Sequence, residues 1–222
     1  MRIRQLTAAT TVAATALLLS ACGSSPLEGK NGSEVADAAA DALEKADAVH
    51  VTGEMEQEGE TGEVDLHLQG DDATGTITFN GAELELISVD GAVYVKGAPE
   101  FWASFGLPEA AAAMFEDQWV ILPAEASGGF DDFSLAGIVD SFRNPESAVK
   151  DEVRSGEVDG TDVVVVEQED GSTLSVADDD PSYPLTLTND GEEGGTMTFS
   201  RFGEQEDISA PEDAIDLADL GA

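Results

Sequence analysis

Few side chains in this sequence are equipped for covalent chemistry, and their placement limits what that chemistry could be. Among 222 residues there is one cysteine, Cys22, and there are two histidines, His50 and His67. A cysteine nucleophile needs a base beside it, and a serine nucleophile needs a strained strand-to-helix elbow with a histidine partner. No such elbow is recognisable, Cys22 closes an apolar segment, and both histidines fall in alternating stretches that read as strands. Carboxylates are abundant, 47 Asp plus Glu, but no two stand out as the pair that glycoside hydrolysis requires. Asp131-Asp132 and Asp178-Asp179-Asp180 could attract Ca2+, yet neither has the alternating Asp-x-Asp-x-Asp-Gly spacing with a distant Glu. They read as solvated loop acids. No catalytic residue, metal ligand or cofactor is assigned, and the chain is expected not to be an enzyme.

The one residue whose surroundings specify a reaction is Cys22. Met1-Arg2-Ile3-Arg4 places two positive charges before an uncharged stretch over residues 6–19, the layout of a secretory signal. The stretch is too short and too rich in Ala and Thr for a membrane span. It ends in Leu19-Ser20-Ala21-Cys22, which resembles the bacterial lipobox. That resemblance implies a diacylglycerol on the Cys22 sulfur and cleavage before it, so residues 1–21 are a lipoprotein signal peptide. Two or three acyl chains hold a protein stably on a bilayer where one does not. The expected location is therefore the extracytoplasmic face of the cell membrane, with Cys22 as the lipid anchor. An ordinary cleavage site followed by an incidental cysteine is the alternative. With a single cysteine no internal disulfide can form, so stability rests on an apolar core.

Against the acids stand only 9 Lys plus Arg, a formal net charge of −38. A summed field of that sign repels phosphate, which excludes nucleic acid and disfavours anionic headgroup surfaces as partners. At 41% hydrophobic the chain is still not a disordered acidic tail. The acids alternate with apolar residues and mark a solvated face, either an adaptation to a salty exterior or simply an acid-rich extracytoplasmic protein.

The elements follow from punctuation and period. Residues 22–32 read as a lipidated N-terminus and flexible tether, and 33–222 as a single domain. Ser33 is a candidate N-cap for a helix to residue 46. Turn signals then recur about every ten residues, with Asn80-Gly81 and Asp90-Gly91 the strongest, because type I′ hairpin turns need positive φ at both central positions. Between them Leu66 and Leu68, Ile77 and Phe79, Leu84 and Leu86, and Val93 and Val95 alternate with polar residues, predicting a five-stranded meander over 48–97 with one face buried. A second meander is predicted near 149–157, 161–168, 172–177, 183–189 and 194–202, with Leu185, Leu187, Met197 and Phe199 on its apolar face. The unbroken run at 163–166 predicts cover on both faces. Between the meanders lie an aromatic segment at 99–105, a helix at 107–116, a strand at 118–122 and an amphipathic helix at 134–142 capped by Ser134 or Asp132. Residues 211–220 could form a last helix.

Together these give an α+β fold: a large curved antiparallel sheet of about eleven strands, a half-barrel, with two or three helices on its concave side. Sheets this wide curl, and so few helices leave an apolar hollow beneath them unless they fill it as an ordinary core. The candidate lining is Leu66, Leu68, Phe79, Leu84, Leu86, Val95, Ile138, Phe142, Leu185, Leu187, Met197 and Phe199 from sheet and helix. Phe101, Trp102, Phe105, Met114, Phe115 and Trp119 from the inserted region complete it, with 99–116 as a lid. Large, polarisable side chains of this kind suit an acyl chain.

Asp90-Gly91-Ala92-Val93-Tyr94-Val95-Lys96, the Phe101-Trp102 pair and Gln118-Trp119-Val120, set behind a lipobox and between two meanders, resemble the actinobacterial LppX/LprG-type lipoproteins, a LolA-like half-barrel group. The resemblance covers about residues 33–203. It implies a hydrophobic cavity, a lipid, glycolipid or other acylated ligand carried in the cell envelope, and a possible export pump or envelope protein as partner. A non-enzymatic sensor or interaction lipoprotein that binds a protein partner is the second reading.

Overall fold

The alternating segments pair into one sheet. The computed structural model describes residues 25–57, 60–79, 81–104, 108–123, 127–130, 133–190 and 194–217; the signal segment, Cys22 and Phe105 lie outside them. Helix α1 (Gly32–Ala46) is followed by β1 (Ala48–Gln57), β2 (Glu60–Gln69), β3 (Asp72–Phe79), β4 (Ala82–Val89) and β5 (Ala92–Gly97). The inserted region holds α2 (Pro99–Ser104), α3 (Glu109–Ala112), β6 (Val120–Ile121) and α4 (Leu135–Arg143). The second meander is β7 (Arg154–Val158), β8 (Thr161–Glu167), β9 (Thr173–Ala177), β10 (Pro184–Asn189) and β11 (Gly195–Ser200), and β12 (Ile215–Asp216) ends it.

The strand order is β12-β6-β5-β4-β3-β2-β1-β11-β10-β9-β8-β7. The two meanders therefore join through the first strand of one and the last of the other, with Val51 opposite Phe199. Every pairing is antiparallel except β12 with β6. Two strand glycines stand where a neighbouring backbone approaches too closely for a side chain. Gly75 (φ 149°) and Gly195 (φ 151°) have a backbone that side-chain-bearing residues rarely adopt, and a Cβ there would lie 2.1 Å from the Asp65 carbonyl oxygen or 2.3 Å from that of Glu54.

Helix α1 begins with a capping box: the Asn31 side chain accepts from the Glu34 N–H while the Glu34 carboxylate accepts from the Asn31 N–H. Asn31, rather than Ser33, is thus the N-cap. Asp47 in the left-handed region closes the helix. Its apolar face, Val35, Ala39, Ala40 and Leu43, lies in the same buried cluster as Val164, Val166, Leu174 and Val176 of β8 and β9. Helix α4 starts at Ser134, whose hydroxyl accepts from the Gly137 N–H at 3.0 Å. It is fastened to α1 by Arg143, which donates to Asp41 at 2.8 Å and Glu44 at 2.7 Å. The core lies between these two helices and the concave face of the sheet. Val163, Val164 and Val166 are all buried and Val165 is half-buried, the two-sided cover that the unbroken valine run predicts.

Four local expectations are corrected. The tether is folded from Ser25 onward: Leu27 is 2% exposed, Ser25 donates to Asp178, and Gly32 N–H donates to the Asp151 carbonyl. The helix over 107–116 shrinks to Glu109–Ala112 and gives way to turns ending at Asp117 (φ 58°). The tail does not form a helix at 215–216 but a short strand, Ile215 opposite Val120, because β6 offers an open edge. The strand expected over 149–157 starts only at Arg154; Val149 makes a single bridge to Gln168.

Candidate ligand-binding cleft

The concave face is not solidly filled. Beneath α4 a cavity of about 150 Å³ is walled by Val51, Val64, Leu66, Leu68, Leu187, Met197 and Phe199 of the sheet and by Phe133, Ile138 and Ser141 from the helix side. Strand periodicity explains the wall: these sheet residues sit at every second position of β1, β2, β10 and β11, and cross-strand pairing sets Val51 between Leu66 and Phe199. On α4, Ile138 is half-buried, and Ser141, three residues on, is exposed while lining the same cavity. Ser141 does not make this wall polar, since its hydroxyl donates to the Ile138 carbonyl at 2.8 Å.

A second cavity of about 200 Å³ adjoins the first and shares Ser141 and Leu187 with it. Its walls include Phe142, Val166 and Leu174, but its rim carries Asn144, Glu146, Gln168, Asp170, Ser172 and Asn189. Ser172 is 4% exposed and its hydroxyl donates to the Asn189 side-chain oxygen at 3.1 Å. The Asp170 carboxylate accepts from the Ser172 N–H at 3.0 Å. The two cavities thus lie side by side, one apolar and one with a polar rim.

The expected lining separates into three groups. Leu66, Leu68, Ile138, Leu187, Met197 and Phe199 come together around the first cavity, and Phe142 lines the second. Leu84, Leu86, Val95, Trp102 and Phe115 are buried in the core and line neither cavity. Trp102 stacks obliquely on Phe115 with centroids 5.3 Å apart, meets Phe101 edge-on at 5.0 Å, and donates its indole N–H to the Gly97 carbonyl at 3.1 Å. These aromatics pack on one another beside β5 and line neither cavity. Trp119 is half-buried with the Lys96 ammonium 6.0 Å from its ring centroid. Leu185 is half-buried at a register shift between Pro184 and Thr186. Met114 is 74% exposed, because α3 stops at Ala112 and leaves it in a turn. Phe105 and the side chain of Phe79 lie outside the described residues.

Val51, Val64, Phe133 and Ser141 are wall residues that sequence reasoning did not single out. The alternation of β1 and β2 carries a signal for the two valines, and the three-residue step from Ile138 carries one for Ser141; none marks Phe133 or the polar rim. Among the described residues no group of three or more His, Cys, Asp or Glu is placed to hold a metal ion, and no helix is long and apolar enough to cross a membrane.

No protein-family model matches the sequence, and no curated protein matches it. Solved structures do. LprF from Mycobacterium bovis superposes with a TM-score of 0.52 at 15% identity, covering 82% of this chain and 99% of that one. The lipoprotein LppX from Mycobacterium tuberculosis gives 0.52 at 16% identity, covering 80% and 97%. The chain has the LppX fold. In this LppX-fold protein the likeness to those structures covers the sheet and its covering helices, and at this identity it is one of fold alone.

Proposed function

We propose that this protein is a membrane-anchored lipoprotein, not an enzyme, that binds and carries an acylated molecule in the cell envelope. The observation that supports the reading is the apolar cavity under α4. It lies in a fold shared with a known lipoprotein, and its walls are aliphatic, aromatic and thioether groups that hold a hydrocarbon without directional demands. Its volume is close to that of an engineered apolar cavity of about 150 Å³ that takes benzene. One short length of chain therefore fits, and transfer of that chain from water supplies about 25 cal/mol per Å² of apolar surface removed. Cys22 supplies the anchor through its acyl chains, and a pump or second envelope protein receives the cargo. Organic extraction of protein purified from its native membrane, followed by mass spectrometry, tests the reading. About one acylated molecule per chain beyond the Cys22 lipid is expected; a chain that never yields one contradicts it.

A further inference from the structure

The segment 25–32 that leads into α1 lies fixed on the domain instead of swinging from it. The Ser25 hydroxyl donates to the Asp178 carboxylate at 2.5 Å. Leu27 is buried in the core cluster, and the N–H groups of Glu28 and Lys30 donate back to the Ser25 and Leu27 carbonyls at 3.2 Å, folding the segment on itself. At its other end Gly32 N–H donates to the Asp151 carbonyl, and a Cβ on Gly32 would collide with the Lys150 carbonyl oxygen. A terminal segment held at both ends, with an apolar side chain buried between them, keeps one position.

Ser25 therefore marks where the chain toward Cys22 leaves the domain. It lies beside loop 178–183, between β9 and β10, at the end of the sheet where β8 begins: Asp178 N–H donates to the Asp162 carbonyl at 2.9 Å. From Cys22 to Ser25 the chain takes three residue steps, which span at most about 11 Å. The opposite end of the sheet, at the turn after β8, is farther away than that, because Asp162 to Glu167 alone covers about 17 Å at 3.3–3.4 Å per residue. Were that opposite end turned to the bilayer, Ser25 would stand out of reach of a lipid-held Cys22. Asp159, Asp162, Asp179 and Asp180 are exposed at the near end, and no Lys or Arg occurs over 155–183. Ionised carboxylates do not enter hydrocarbon. Resting on the reading of Cys22 as the lipid anchor, we infer that the end of the sheet at loop 178–183 faces the phospholipid bilayer, lying on the hydrated headgroups without inserting. The turn after β8, with Glu169, faces away from it.

Energy transfer on the full lipoprotein, purified from membrane and reconstituted in phosphatidylcholine vesicles that carry a rhodamine-labelled lipid, tests this. With Cys22 acylated, Asp179→Cys and Glu169→Cys each supply the sole free thiol for a donor dye, both at exposed positions. The height difference predicts transfer about twofold stronger or more from position 179 than from position 169. An insertion of about 20 Gly/Ser residues between Ser24 and Ser25, with a root-mean-square reach of about 25 Å, should remove most of that difference. Equal transfer from the two positions, stronger transfer from position 169, or a difference that the insertion leaves intact overturns the orientation while mass spectrometry still finds Cys22 acylated. A Cys22 that carries no lipid overturns the anchor reading and the orientation with it.

Discussion

Phe142 of α4 meets Phe199 of β11 edge to face, with ring centroids 5.8 Å apart and planes at 76°. Phe142 lines the polar-rimmed cavity and Phe199 the apolar one, so the pair forms part of the partition between them. Edge-to-face pairs add about 0.5–1.5 kcal/mol beyond the area they bury, which holds α4 down on the sheet. Replacing Phe142 with alanine should cost about 3–5 kcal/mol and open the partition. Urea unfolding should show the loss, and titration with a homologous series of acylglycerols should show a longer preferred chain. An unchanged chain-length preference would mean that the ring is no part of the partition.

Trp102 provides an independent check on where the ligand is not. It is 1% exposed and packed between Phe101 and Phe115 with its N–H satisfied. In a Trp119→Phe variant, which leaves Trp102 as the sole indole, emission should be that of a buried ring and should not move when an acylglycerol binds. Trp102→Ala should destabilise by about 3–5 kcal/mol while leaving the affinity of the refolded protein unchanged. A ligand-induced shift of Trp102 would place the cavity in the inserted region.

The large features were legible because they arise from local rules. Period-two alternation and Asp-Gly or Asn-Gly turns need no knowledge of distant residues, and they gave the strands of both meanders. The places where the structure departs depend on partners far along the chain. Leu27 is buried because it docks on the domain, which no property of a Pro- and Gly-bearing stretch announces. Ile215 is a strand residue because Val120 has an open edge beside it. Met114 continues an alanine-rich helical pattern, yet the chain turns after Ala112. The cavity was legible only in part: alternation marks Leu66 and Met197 as inward-facing, but a void depends on how side chains from β1, β2, β10, β11 and α4 fail to meet.

His67 is 3% exposed, and neither ring nitrogen makes a hydrogen bond among the described residues. The Glu206 carboxylate is 4.0 Å from Nδ1, too far for a hydrogen bond. A buried polar group left unsatisfied costs about 1–3 kcal/mol. His67→Leu is therefore expected to raise stability by about 1 kcal/mol, read as a higher urea midpoint with an unchanged slope. A loss of stability would show that the imidazole has a partner.

Glu167 joins the loop before β7 to β8. Its carboxyl is held below the ordinary value of 4.5, first by the hydrogen bond from Lys150, then by the charges of Lys150 and Arg154, with burial opposing; Arg154 donates at 2.9 Å. Ionised Glu167 thus favours the folded chain at every pH above 4.5, and its contribution is lost as pH falls through the lower folded-state value. Glu167→Gln should be less stable than the parent at neutral pH, with the gap constant down to about pH 5 and closing below pH 4.5. A gap independent of pH down to strong acid would assign the loss to packing instead of charge.

The most direct measurement is a crystal structure of the protein with an acylglycerol brominated at the end of its chain. Anomalous scattering should place the bromine beneath α4, among Leu66, Ile138 and Met197. A bromine on the convex face of the sheet, or beside Trp102 with the space under α4 empty, would contradict the account.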